Sequence, residues 1–145
     1  MSIAVNASGV YWSSQVNVMT APTGGGPATP FASNQYPYAV AVDANDVYWA
    51  AGIDGGAILK APIGGGPTVV LAQNQYYPNS LAVDGSNVYW SIGHGGIGSV
   101  AKVAKNGGPT LPLATNQAYP IGIAVNSSRV FWVNFGDGTI RSVAK

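Results

Sequence analysis

Very few side chains in this 145-residue sequence are suited to bond-making chemistry. There is one His, His94, no Cys and no Glu, and all five acidic residues are Asp. His94 is the only imidazole that could act as a general base near neutral pH. It is flanked by Gly93, Gly95 and Gly96 and has no carboxylate close by in sequence to orient it, so it reads as an exposed loop residue. The competing reading brings Asp54 or Asp137 to it from equivalent loops elsewhere in the chain. A recurring Asx series, Asn6, Asp43, Asp84 and Asn126, could be imagined as a ring of metal ligands. Each, however, precedes small or polar residues in a pattern that closes turns through side chain to backbone hydrogen bonds, and no metal or cofactor is expected. The sequons at Asn6 and Asn126 sit in those same turns and have the same structural explanation.

A second set of residues is suited to binding. The triplet Asn34, Gln35, Tyr36 returns as Asn74, Gln75 and Tyr77 and again as Asn116, Gln117 and Tyr119, each time just before a Pro. Amides offer planar donors and acceptors, and tyrosine adds an apolar face with a polar tip. That combination suits a sugar or a peptide. With His94, these nine residues form the candidate ligand face, and the bland alternative is that the amides tie neighbouring units together while the rings pack between them.

The elements that must position these residues repeat. Leu81-Ala82-Val83-Asp84 leads through a polar turn to Val88-Tyr89-Trp90, and the pattern recurs from Ile3 to Trp12, Val40 to Trp49 and Ile123 to Trp132. The aromatic before each Trp falls at 11, 48, 89 and 131, spacings of 37, 41 and 42. A period near forty marks a repeat architecture. Within a unit the sequence predicts four strands, as in the third copy: Ser80 to Val83, Val88 to Ser91, a Gly-rich loop from Ile92 to Gly98, Ser99 to Ala104, a Gly turn and Pro109 to Ala114, with Thr115 to Pro120 as the connecting loop. The prolines place the fourth strand at the outer edge. Because Val-Tyr-Trp and Ile-Ala-Val are apolar at consecutive positions, both faces of each small sheet must be covered.

Four-stranded units of about forty residues, covered on both faces, predict an all-β β-propeller forming one domain over residues 1–145. The blades run approximately 3–36, 37–77, 78–119 and 120–145, the last without an outer strand. A β-trefoil fits less well, because it needs three copies rather than four. In a propeller the loops entering the inner strands share a face with the loops after the second strands, which gathers the triplets and His94 on one rim. The end blades should each leave an apolar face open, so the expectation is a homodimer closing an eight-bladed ring, with a four-bladed monomer as the alternative. A net charge of +1 gives no basic stripe for nucleic acid, no apolar run reaches the length of a spanning helix, and no signal peptide is visible; low charge with abundant Gly, Asn and Tyr leans toward export.

The blocks Tyr119 to Asn126 and Val130-Phe131-Trp132, followed by Gly138 to Val143, resemble the repeats of NHL and YWTD-type β-propellers. The likeness extends over nearly the whole chain, although Ser13-Ser14, Ala50-Ala51, Ser91-Ile92 and Val133-Asn134 stand where the second motif has Thr-Asp. The resemblance implies a propeller whose relatives include binding scaffolds, sugar-lactone hydrolases and lyases. Its metal-dependent lactonases use a Glu ligand, which this chain lacks. The expected function is therefore a non-catalytic binding or scaffold propeller, with carbohydrate as its sharpest ligand class, and the alternative is a lactonase-like hydrolase or lyase that uses His94.

Overall fold

The computed structural model describes residues 1–145 except Asp54, and among them it has fifteen strands and no helix. Blade 1 comprises β1 (Ile3–Asn6), β2 (Gly9–Ser13), β3 (Val18–Ala21) and β4 (Thr29–Ala32). Blade 2 comprises β5 (Pro37–Val42), β6 (Asp46–Ala51), β7 (Ala57–Pro62) and β8 (Val69–Gln73). Blade 3 comprises β9 (Pro78–Val83), β10 (Asn87–His94), β11 (Ile97–Ala104) and β12 (Leu111–Gln117), and blade 4 has β13 (Pro120–Val125), β14 (Arg129–Asn134) and β15 (Thr139–Ala144). Each blade is an antiparallel meander with strands in sequence order. First strands pack on first strands, β1 on β5, β5 on β9 and β9 on β13, which sets them innermost and the blades radially around them. The chain is a β-propeller of four blades.

The register explains the sequence pattern. Consecutive side chains on a strand point to opposite faces, so in Val-Tyr-Trp the Trp faces the preceding blade and the aromatic before it faces the following one. Trp49 joins Val40, Val47 and Leu59 against Tyr11 and Val18 of blade 1. Trp90, Leu81 and Val103 meet Tyr48 and Ile58 of blade 2, and Trp132 and Val130 meet Tyr89 and Val100 of blade 3. The core is thus three apolar slabs, each between two blades. In blade 2, β6 is buried on both faces after its first residue, whereas β1 and β14 at the ends alternate between covered and exposed positions. Continuous apolar strands therefore mark two-sided cover.

The expected strand boundaries of blade 3 move, its first strand starting at Pro78 and its fourth at Leu111. The stretch from Ile92 to Gly98 is a hairpin rather than a loop: β10 continues to His94, β11 starts at Ile97, and only Gly95 and Gly96 turn, with φ of 63° and 86°. Two successive residues at positive φ suit a tight turn matched to the twist of the strands, and glycine adopts them without steric penalty. Likewise β12 runs on through Thr115 and Asn116 to Gln117, which pairs with Gly98 after a bulge.

A tyrosine-lined rim as the candidate functional site

The loops entering blades 2, 3 and 4 are built alike. In each, the Asn and the Tyr before Pro adopt left-handed backbone: Asn34 and Tyr36, Asn74 and Tyr77, and Asn116 and Tyr119, with φ between 48° and 58°. Asn tolerates this region because its short polar side chain bonds locally; Tyr does not gain in that way, so three strained tyrosines mean that the surroundings hold the backbone. Those holds are visible. Gly52 N–H donates to the Tyr36 carbonyl at 3.0 Å and Phe135 N–H to the Tyr119 carbonyl at 3.0 Å, while Gln35 and Gln75 N–H groups donate to Val16 and Gly56 carbonyls of the blade just left.

The three glutamines have a fixed task. Gln35, Gln75 and Gln117 accept the indole N–H of Trp49, Trp90 and Trp132 at 3.1, 3.0 and 2.9 Å. Their amide nitrogens donate to the carbonyls of Ser33, Gln73 and Thr115. Each glutamine sits where the chain crosses from one blade to the next, Gln117 as the last residue of β12, and caps the buried tryptophan of the blade that follows. The oxygen thereby links two blades, while the nitrogen fixes the side chain to its own segment.

Two of these three tyrosines face outward, and the third, Tyr119, is half-buried. Tyr36 and Tyr77 are exposed, and the Tyr77 ring stacks on His94 with centroids 4.1 Å apart and planes 9° from parallel. This contact places the entering loops and the hairpins after second strands on one rim. Tyr38 lies 6.4 Å from Tyr77, and Tyr119 meets Phe135 edge-on at 5.9 Å. Two hollows open between these rings. One, of about 310 Å³, is lined by Ser14, Gln15, Tyr36, Pro37 and Tyr38 among others, and the second, of about 140 Å³, by Tyr38, Gly52, Gly55, Gly56, Tyr76 and Tyr77. They occupy corresponding places in successive blades. Asn74 borders a separate hollow of about 150 Å³ with Ile53, Leu59 and Val70, and Asn34 N–H donates to the Asn17 side chain. Sequence reasoning had not singled out Tyr38, Tyr76 or Phe135. The extra residue in Gln75-Tyr76-Tyr77, compared with Gln35-Tyr36, was the available signal for Tyr76.

His94 is exposed and, among the described residues, its recorded neighbour is the Tyr77 ring rather than a carboxylate. Of the two carboxylates considered for it, Asp54 lies outside the described residues, and Asp137 accepts from Thr139 and pairs with Arg141 at 3.7 Å. The opposite rim carries the Asx series. Oδ1 of Asn6, Asp43, Asp84 and Asn126 each accepts two backbone N–H groups and closes the turn. Oδ2 of Asp43 takes the Tyr48 hydroxyl at 2.9 Å and the Lys105 ammonium, and Asp84 does the same with Tyr89 and Lys145. Each Lys belongs to the next blade and lies over the ring of the same Tyr, 5.6 and 5.5 Å from its centroid. Burial alone would raise the Asp43 carboxyl, but Lys105 and the turn amides hold it down at about 2. Asp84 is lowered by the corresponding set, against the same burial. Burial and the neighbouring Asp84 push the Tyr89 hydroxyl up to about 12.

No family model and no curated protein sequence matches this chain. Solved structures do. A chain of the nidogen–laminin complex superposes with a TM-score of 0.87 at 22% identity, over 99% of this chain and 60% of that one. The computationally designed Ika4 protein gives 0.78 at 17% identity, over 99% of this chain and 89% of its own. A gluconolactonase of Xanthomonas campestris, XC5397, gives 0.78 at 16% identity, over 99% of this chain and 57% of the enzyme. The chain thus spans only part of the length of the nidogen-complex and gluconolactonase chains it resembles. At these identities the likeness defines a β-propeller fold and nothing finer.

Proposed function

We propose that this chain is a non-catalytic binding propeller whose ligand lies in the tyrosine-lined hollows of the rim that carries Tyr36, Tyr38, Tyr76, Tyr77 and His94. The supporting observation is the repetition of those hollows, each beside one strained, exposed tyrosine, Tyr36 in the first and Tyr77 in the second. Left-handed tyrosine three times over costs backbone energy, and such strain collects at functional positions. Flat aromatic faces beside hydroxyls and backbone amides match a saccharide, whose C–H faces stack on rings while its hydroxyls bond at the edges. With Gln35, Gln75 and Gln117 committed to tryptophan, recognition falls to the tyrosines, with Asn34, Asn74, Asn116 and His94 at the border of the same rim. A glycan array tests the reading. Binding to a saccharide set that Tyr77→Ala weakens at least tenfold, and that His94→Ala weakens less, supports it. Absence of any glycan binding overturns the carbohydrate form, and lactone or ester turnover abolished by His94→Ala overturns the non-catalytic form in favour of a hydrolase.

A further inference from the structure

Three interfaces between blades form inside the chain, and the two faces that would make a fourth are in water. Blade 1 presents Ile3, Val5, Val10, Trp12 and Met19 toward the absent neighbour; in register these match Val40, Val42, Val47, Trp49 and Leu59, the face that blade 2 seats on blade 1. Blade 4 presents Phe131, Val133 and Ile140, matching Tyr48, Ala50 and Ile58 of blade 2. Ile58 is fully buried, while its counterpart Ile140 is 75% exposed; Val40 is 4% exposed and its counterpart Ile3 72%. A concavity of about 470 Å³ on the blade 1 face is lined by Met1, Ser2, Ile3 and Trp12. Apolar faces of this kind mark an interface.

The polar groups at the edge of each interface say what fits there. Where a blade carries Asp with Tyr, the next supplies Lys: Asp43 and Tyr48 with Lys105, Asp84 and Tyr89 with Lys145. Where blade 1 carries Asn6, the position equivalent to Lys105 in blade 2 is Ile63, and the Asn6 amide donates to the Asp43 carbonyl at 2.6 Å instead. Blade 4 carries Asn126 and Phe131, both neutral, and the corresponding position of blade 1 is Thr23, also neutral. Asn126 and Thr23, at the edge of the two open faces, bring no charge together, while Arg129, on the same face of blade 4 as Phe131, is held by the Ser142 hydroxyl of that face; the Asn126 amide would meet the Asn6 carbonyl as the Asn6 amide meets that of Asp43. A Lys at position 23, or an Asp at 126, would have broken that match.

We infer that a second copy of this chain covers both faces, blade 1 of each copy seated on blade 4 of the other around a two-fold axis, to close an eight-bladed ring. The inner three strands of the existing interfaces continue through the two new ones, without the outer strand that supplies Phe31, Leu71 and Leu113 to the others. In the alternative, blade 1 of one chain meets blade 4 of the same chain; the structure instead holds these faces apart, with Ile3 and Ile140 both in solvent. Light scattering behind a sizing column decides between them. The expected mass is that of two chains, falling to one in Ile3→Arg and in Ile140→Arg. Both positions are exposed, so far-UV circular dichroism of each variant should match the parent. Mixing the two variants restores one intact interface per pair, and a heterodimer should reappear at a weaker affinity than the parent. Symmetric pairing of like faces would leave one substituted interface in every such pair and restore nothing. A parent mass of one chain at all dilutions, or failure of the mixed variants to associate, overturns the proposal.

Discussion

Single side chains decide how each blade locks to the next, and Gln75 shows it most directly. Its oxygen satisfies the Trp90 indole N–H, which is fully buried. Gln75→Leu leaves that donor without a partner in an apolar slab, and the expected loss is about 1–3 kcal/mol in denaturant unfolding, with no change in secondary structure. A midpoint equal to the parent's would show that water reaches the indole. Ser91 is the opposite case: its hydroxyl is buried and has no hydrogen-bond partner among the described residues, while blade 2 has Ala50, also fully buried, at the same position. Ser91→Ala should therefore stabilise the chain by about 1 kcal/mol, and a measured loss would reveal a bond the hydroxyl makes. The turn role of Asn6, Asp43, Asp84 and Asn126 was legible from residue type alone. The coupling of each glutamine to a tryptophan was not, because it joins residues 14 or 15 apart whose approach depends on the crossing of blades.

At the scale of elements, the Asp–Tyr–Lys clusters staple the outer ends of inner strands to the third strand of the next blade. Their acid dependence follows from the carboxyls. Asp43 titrates at about 2 in the fold against 3.8 in an unfolded chain, so its contribution is complete above about pH 4 and disappears as pH falls toward 2. That difference is worth on the order of 2 kcal/mol, and Asp84, lowered likewise, adds to the same window. Stability should decline steeply from about pH 4 to 2, and Asp43→Asn should be less stable at neutral pH yet show a shallower decline. An unaltered slope would mean that Asp43 carries no share of it. The strand pattern itself was readable from Val-Tyr-Trp and Ile-Ala-Val. Sequence alone does not separate the hairpin at Gly95-Gly96 from a loop, because glycines interrupt an apolar pattern whether they bend a strand or turn a pair of strands, and only the pairing of His94 with Ile97 distinguishes the two.

For the whole molecule, closing a ring from two chains makes stability depend on concentration, since association stabilises the folded state by mass action. The parent chain should unfold at a higher denaturant midpoint as its concentration rises, and Ile140→Arg should abolish that dependence. A concentration-independent parent would place the open faces in water for good. The all-β propeller architecture, the four blade repeats and the strands covered on both sides were legible from residue pattern alone, because a repeat states its own period and consecutive apolar residues state two-sided cover. The pattern also marked the Asn-Gln-Tyr loops as a shared rim. Only the tertiary structure divided those loops by task, glutamine inward to tryptophan and Tyr36 and Tyr77 outward beside hollows. Direction at a loop residue depends on its φ, and the left-handed values at Tyr36, Tyr77 and Tyr119, unlike those at the Asn positions, do not follow from residue type; backbone N–H groups of Gly52, Gly93 and Phe135 hold their carbonyls.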